Sequence, residues 1–447
     1  MEKNLGKSAL VIGGSLAGLL AARVLSNHFE NVTIIERDPV HNLPESRKGQ
    51  PQTRHLHGLL VEGLKIITGY FPDLLEGLQT DGIPIMDMAQ TMQWYCYGGY
   101  RANFEFGMKG VITSRPFLEW QIRKRVLDLP NVTLKDGYSV QKLIASENNK
   151  QITGVQLIKT GQETAPETLL ADLIVDASGR GSRTPKWLEE LGYKKPPESI
   201  VTCGVGYATR LFERKETQPE NLKWIFITPQ APRQRRAGGV FPVEGNRWMV
   251  GLAGWHGDHA PTDEEGFNAF AKSLPAPDVY NIITHNKPLS DIISYKFPAS
   301  LRHHYEKMDH FPDRYLVLGD AACSFNPFYG QGMTSAAMQA LALETLLQTN
   351  NTLDGLAKPY FKKVAKIVDI PWQTAVGEDF RFPETKGKKA PGTNLINAYI
   401  DRVHKATHHD TVVGAAFLKV MNMLEPPTSL LSPRILWRVA KHSLQKN

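Results

Sequence analysis

The chain has 447 residues, with 52 Lys and Arg against 45 Asp and Glu and 41% apolar residues, a globular composition with room for two or three lobes. Its formal charge of +7 is dispersed, with only short clusters such as RQRR at 233–236 and KGKK at 386–389, so the concentrated basic stripe of a nucleic-acid binder is lacking. Cys96, Cys203 and Cys323 stand far apart, no apolar run approaches a membrane span, and the first strand begins too early to leave room for a signal peptide, which together predict a reduced, cytoplasmic protein.

The stretch ALVIGGSLAGLLAARVL at 9–25 reads as strand, tight turn and helix. Gly13 suits a sharp bend, Gly18 suits close packing of helix on strand, and the helix N-terminus offers free N–H groups to a pyrophosphate. Ser15 takes the place of the second fingerprint glycine. Its Cβ is a small obstruction there, and its hydroxyl is a potential phosphate donor. NVTIIER, a β-branched run, follows and places Glu36 where an acid bonds the ribose of a bound adenosine. NAD and FAD both carry that ribose, and a ligand-free βαβ turn would show the same residues.

A polar connection containing ESRKGQPQTRHLHGLL leads into helices to about residue 80, and 83–112 reads as extended, with aromatics in QWYCYGGYRANFEF. SRPFLEWQIRKRVLDL is an amphipathic helix that Ser114 can cap. Strands are predicted near 131–137, 140–145, 152–159 and 168–176, the last running into LIVDASGRGSR. From about 200 to 300 the pattern is β, in GVGYATRLF, LKWIFIT, GGVFPV and RWMVGLAGW, with Gly245 and Asn246 between 239–243 and 247–254 as a hairpin signal. Tyr95, Tyr97, Trp224, Phe226 and Trp248 fall in strands expected to line a pocket, core packing being the alternative for each.

In DRYLVLGDAACSFNPFYGQGM the strand pattern returns at Tyr315–Leu318, and a long helix opens near Gly332. Asp320, at the strand's end, can accept hydrogen bonds from a ribityl chain. Gly330 and Gly332 let backbone approach a flavin ring, Pro327 stiffens the loop over it, and the helix N-terminus favours an anionic pyrimidine edge. Helices fill the chain from about 355 onward. In the tail, Ile435, Leu436, Val439 and Leu444 form an apolar stripe beside Arg434, Arg438 and Lys441. That pattern suits a helix docked on its own domain or one resting on a membrane surface. The pairs His55 and His57, His303 and His304, and His408 and His409 do not share one helix face, so no metal is expected. Cys323 reads as a small packing residue.

With these pieces in order, the chain resembles the single-component FAD-dependent monooxygenases of the aromatic hydroxylase type (group A), and among them the flavin epoxidases of polyketide biosynthesis. The resemblance rests on GGSLAG with Glu36, RKGQPQTRHLH, DASGRGSR and GDAACSFNPFYGQGM, and spans most of the chain. It implies an α/β fold: a Rossmann-like FAD-binding domain assembled from 1–82, 113–190 and 300–365, an inserted antiparallel β-sheet substrate domain from 83–112 and 191–299, and a helical C-terminal region from 366–447. It assigns the pyrophosphate to Gly13, Ser15 and Gly18 with the flanking Leu16 and Ala17, the ribose to Glu36 beside Arg37, and the pyrophosphate-ribityl side to Asp320. Arg47 and Arg115 would reach the cofactor, and Pro327, Gly330, Gly332 and Met333 would lie by the flavin.

The activity implied is insertion of one oxygen atom from O2 into an apolar small molecule, by epoxidation or hydroxylation, through a C4a-hydroperoxide of FAD with NAD(P)H as transient reductant. No dedicated acid-base residue is needed. Where aromatic hydroxylases carry Asp-Gly, this chain has Ser178 and Gly179 after Asp176. That DASG form is shared with related flavin reductases and halogenases. It leaves open a reductase or dehydrogenase acting on isoprenoid or polyketide double bonds. A halogenase is disfavoured because the Trp-x-Trp-x-Ile-Pro signature is missing, DIPW at 369–372 not supplying it, and a non-enzymatic flavin binder is the remaining class.

Overall fold

The computed structural model describes residues 4–162, 165–215 and 224–444. Five parallel strands form the first sheet, in the order Tyr315–Val317, Leu173–Asp176, Gly6–Ile12, Phe29–Glu36 and Val132–Asp136. The central strands Tyr315–Val317, Leu173–Asp176 and the second half of Gly6–Ile12 are continuous buried runs, as strands covered on both faces require, while the edge strand Val132–Asp136 is largely polar. The helices Leu16–Leu25 and Gly332–Thr349 pack together against this sheet. Ile12 lies in register with Ile35 on one side and Asp176 on the other, and Asp176 with Val317. The carboxyl ends of four strands thus meet at one edge, where ligands of open parallel sheets bind.

Gly13 follows Ile12 with φ +104°, a left-handed conformation that side chains rarely adopt, and a Cβ there would stand 2.5 Å from the Ala177 carbonyl oxygen. A Cβ on Gly18 would stand 1.8 Å from the Gly13 carbonyl oxygen. Both glycines of the turn are therefore demanded by backbone contact alone.

The second sheet has eight strands, in the order Cys323–Ser324, Ile293–His303, Glu198–Glu213, Arg247–Trp255, Arg236–Val243, Trp224–Ile227, Met92–Cys96 and Gly99–Tyr100. It is antiparallel throughout except that Trp224–Ile227 runs parallel to Met92–Cys96. The hairpin expected between 239–243 and 247–254 forms, with Gly245 and Asn246 both at positive φ. Of the predicted strand LKWIFIT, Leu222 and Lys223 lie outside the described residues. Chain segment 315–324 belongs to both sheets, its first three residues in the parallel sheet and its last two in the large one. Asp320 sits at that crossing.

Side chains alternate across the large sheet. One face, with Ile225, Ile227, Trp248 and Val250, packs on Phe267, Phe270, Val279 and Ile283 of the helices Glu264–Lys272 and Asp278–His285. The opposite face carries Trp94, Trp224 and Phe241. Four helices, Ala357–Asp379, Thr393–Ala406, Thr411–Met421 and Pro433–Leu444, complete the chain. In the last, Ile435 and Val439 are buried against Val403, Ala406 and Val413. The inward half of the expected stripe thus docks on the protein itself, while Leu436 and Leu444 are exposed. Among the described residues no helix is long and apolar enough to cross a membrane.

Gly18→Ala is expected to lower stability by more than about 3 kcal/mol, because the opposing atom is backbone and cannot step aside. Thermal and denaturant unfolding of the variant check this.

Candidate functional site

An elongated cleft of about 390 Å³ opens at the carboxyl edge of the parallel sheet. Gly13, Ser15, Leu16, Ala17, Glu36 and Arg37 line it, together with Asp320, Pro327, Gly330, Gly332, Met333 and Arg115. Gly18 and Arg47 do not border the cleft. Gly18 is spent on the helix–strand contact, and Arg47 is buried behind Glu36, its Nη1 2.9 Å from Glu36 Oε2.

Ser15 lines the cleft, and its hydroxyl also has partners within the protein. Its hydroxyl donates to Glu119 Oε2 at 2.7 Å and accepts from Arg115 Nη2 at 3.1 Å, so it is already engaged within the protein. Glu119, only 3% exposed, is the hub of this wall: Arg47 reaches Oε1 at 2.7 Å, Arg115 reaches Oε2 at 3.2 Å, and Arg123 stands at 3.7 Å. Burial alone would raise its pKa, but Arg115 and Arg47 outweigh that and hold it below the usual carboxylate range. Glu36 accepts the Gly14 and Asp38 N–H groups, at 2.8 and 2.9 Å. The DASG acid is structural too: Asp176 is fully buried and accepts from Ser178 N, Ser182 Oγ and Thr184 Oγ1 at 2.9, 2.5 and 2.5 Å, shaping the loop whose Ser178, Gly179, Arg180 and Gly181 line the cleft.

The residues present suit a flavin dinucleotide. At Gly58, Gly179, Gly181 and Gly332, all bordering the cleft, no atom lies within 4 Å of where a Cβ would stand, so backbone is bare on the side facing the cavity. The helices Leu16–Leu25 and Gly332–Thr349 both begin at the cleft without a side-chain cap, leaving first-turn N–H groups for an anionic ligand. Arg115 Nε is buried without a partner. Asp320 is exposed to the cavity yet crowded by protein behind it; that burial raises its pKa against the pull of Arg115 and Arg180.

A second cavity, of about 130 Å³, adjoins the first and shares Gln52, His57, Gly58, Tyr295, Pro327 and Gly330 with it. Aromatic side chains dominate its wall, among them Trp94, Tyr207, Trp224, Phe226, Phe241 and Phe328, and among the described residues no Asp, Glu, Lys or Arg lines it. Its floor is Gly239 paired with Gly251, and Leu56 covers both: a Cβ on either glycine would meet Leu56 Cδ1 at 2.8 or 2.7 Å. His55 Nδ1 lies 2.8 Å from Thr209 Oγ1, and His57 Nδ1 donates to the His55 carbonyl at 2.9 Å. Burial pushes both imidazoles down to about 4, with His57 and Arg54 adding to the effect at His55 and Arg115 at His57.

Of the five aromatic residues expected in a substrate pocket, Trp224 and Phe226 line it. Tyr95, Tyr97 and Trp248 stand elsewhere. Tyr95 and Trp248 have the opposite parity on their strands and pack toward the two surface helices. Tyr97, past the strand's end with φ +50°, stacks on His404 and donates to Asp401 at 2.8 Å. Trp94, one residue from Tyr95, takes the pocket position.

No family model matches the chain. It is 30% identical over 453 residues to protein Rv3254 of Mycobacterium tuberculosis, an alignment spanning 98% of this chain and 94% of that one. A kynurenine 3-monooxygenase of Salinispora tropica is 24% identical over 356 residues, covering 76% of this chain and 72% of its own. In fold, a flavoprotein/dehydrogenase from Cytophaga hutchinsonii matches with a TM-score of 0.71 at 13% identity, over 99% of this chain and 100% of that one. With a cleft suited to a flavin dinucleotide beside a separate apolar pocket, and relatives of this kind along most of its length, the chain belongs to the FAD-dependent monooxygenases of the aromatic hydroxylase type.

Proposed function

We propose that this monooxygenase inserts one oxygen atom into a neutral, largely apolar small molecule, an alkene or an electron-rich ring, seated in the aromatic pocket. The observation that carries this reading is that, among the described residues, no Asp, Glu, Lys or Arg lines the pocket and its two histidines are held neutral by burial. A charged substrate would leave its charge unpaired among aromatic rings, which is costly. FAD, when bound, supplies the activated oxygen and passes on the electrons of NAD(P)H.

The protein's own residues bind, orient and keep water out. Glu36 and Asp320, both lining the cleft, would hold hydroxyl groups of the cofactor, and Arg115, fixed by Glu119 and Ser15, would face it between them. Gly58 and Gly330, which border both cavities, and Gly332 in the cleft would leave room beside their backbone for the planar ring of a bound flavin. His57, neutral at working pH, presents Nε2 there as an acceptor, since Nδ1 carries the proton given to His55. The aromatic wall excludes water from the place where oxygen is transferred.

Purified protein should be yellow and release intact FAD on denaturation. Asp320→Ala should weaken FAD retention about tenfold or more, the order of one lost charged hydrogen bond. Protein that takes up no added FAD would contradict the assignment.

Glu119→Gln should cost about 3 kcal/mol or more, since three guanidinium groups lose a buried counter-charge. Because the folded-state pKa of Glu119 is depressed, its ionised form stabilises the protein above the unfolded value near 4.5, and that contribution is lost as pH falls below it. Acid unfolding followed in both proteins should show the variant losing less stability over that range.

Turnover of an alkene-containing apolar candidate under 18-oxygen gas should add one labelled atom to product. Phe226→Ala should lower kcat/KM about tenfold, while Tyr95→Leu, on the other face of the sheet, should change it less than about twofold. Anaerobic hydrogenation or dehydrogenation of the substrate with no oxygen gained would point to a reductase instead.

A further inference from the structure

Asp379 ends the helix Ala357–Asp379 and is completely buried. Its Oδ1 accepts from Asn326 Nδ2 at 2.8 Å, Tyr329 OH at 3.2 Å and Trp255 Nε1 at 3.3 Å, the Cys203 thiol is a further, weak donor to the carboxylate, and Oδ2 is buried with no N–H or O–H donor. Among the described residues no cation pairs with it; Arg381, two residues on, is taken by Glu378 and Asp401. Asn326 in turn accepts from Tyr207 OH at 2.8 Å and from Phe328 N at 3.1 Å. These donors bracket the short segment 326–330, whose Pro327 and Gly330 border both cavities.

A carboxylate buried without a cation costs stability, and neutral donors alone do not remove that cost. Burial raises the Asp379 pKa to about 6, so at neutral pH the protein carries the charge at a loss. The titratable groups facing it, Cys203, Tyr207 and Tyr329, are pushed up by burial and by its charge and stay neutral. His256, which reaches Thr385 on the turn behind it, is held below its ordinary value by burial.

We propose that Asp379 is a positioning residue for oxygen transfer, its ionised carboxylate tightening, through Asn326 and Tyr329, the wall that separates the cofactor cleft from the substrate pocket. The inference rests on the two-cavity reading given under Proposed function.

Asp379→Asn isolates the charge. The amide oxygen can serve Asn326, Tyr329 and Trp255, and its nitrogen can donate to the Cys203 sulfur, so the hydrogen bonds survive while the charge goes. Two measurements on FAD-loaded protein test the proposal: the thermal midpoint from pH 5 to 8, and hydrogen peroxide released after NAD(P)H reduction and exposure to O2 without substrate. The variant should melt about 2–4 °C higher than wild type at pH 8, the difference closing as pH falls below 6. It should also lose peroxide at least fivefold faster, with FAD affinity within about threefold. Tyr329→Phe, which removes one of the three donors, should speed peroxide loss without the thermal gain.

A variant less stable than wild type at pH 8 would mark Asp379 as an ordinary structural residue and overturn the proposal. Unchanged peroxide loss would overturn it equally. Wild-type protein that binds no FAD would sink the oxygenase reading, and the two melting curves would still decide whether the charge is carried at a cost.

Discussion

Backbone pressed on backbone at Gly13 is the constraint on which the rest depends. The Ala177 carbonyl closes on it from one side and the helix at Gly18 bears on its own carbonyl from the other. Three segments from the first 20 residues and from position 177 are thereby held at a separation that admits no side chain. That fixes where the helix N-terminus points and where the loop of Ser178 to Gly181 can run. The cleft is the space left over, and its chemistry follows from which groups line a cavity whose shape backbone has already set.

Polar groups around the cleft divide by task. Glu119, Arg47 and Asp176 work behind the wall, satisfying one another or shaping loops, and they hold Arg115, Glu36 and Arg180 at the surface of the cavity. The large sheet shows a similar division by face, one side for packing against helices and the other for the pocket. The crossing at 315–324 joins the two systems. Because Asp320 lies at that crossing and the segment 326–330 follows it, the two cavities are registered to each other over a few residues.

Much of this was legible in the amino-acid order. Gly13, Gly18 and Glu36 announce the nucleotide turn because glycine spacing and a strand-end acid are local signals. The hairpin at Gly245 and Asn246 is local in the same way. What stayed hidden depends on distant partners. Glu119 sits in an amphipathic helix and reads there as a solvated charge; nothing in RPFLEWQIRKRVL tells that Arg47 and Ser15 will meet it. The hydrogen bond from Ser15 to Glu119 is hidden for the same reason. Tyr95 and Trp248 were misplaced by one step of strand parity, which no short aromatic run can settle when both faces of a sheet are buried. Asp176 looked like a motif acid, and only the closing of the Ser182–Thr184 turn upon it shows where its oxygens go.

The bare glycine pair in the pocket floor has an evolutionary meaning. Gly239 and Gly251 face each other across two strands whose backbone hydrogen bonds do not involve side chains, and the volume above them is held by the flexible end of Leu56, which arrives from the segment lining the cofactor cleft. Space can therefore be traded between a floor that lacks side chains and a roof that has one, methyl group by methyl group, with the sheet and the cofactor cradle left untouched. A scaffold built this way can drift from one ring size or chain length to another through single substitutions, each tolerated by the fold, and so supply a lineage of oxygenases with differing appetites from one unchanging frame.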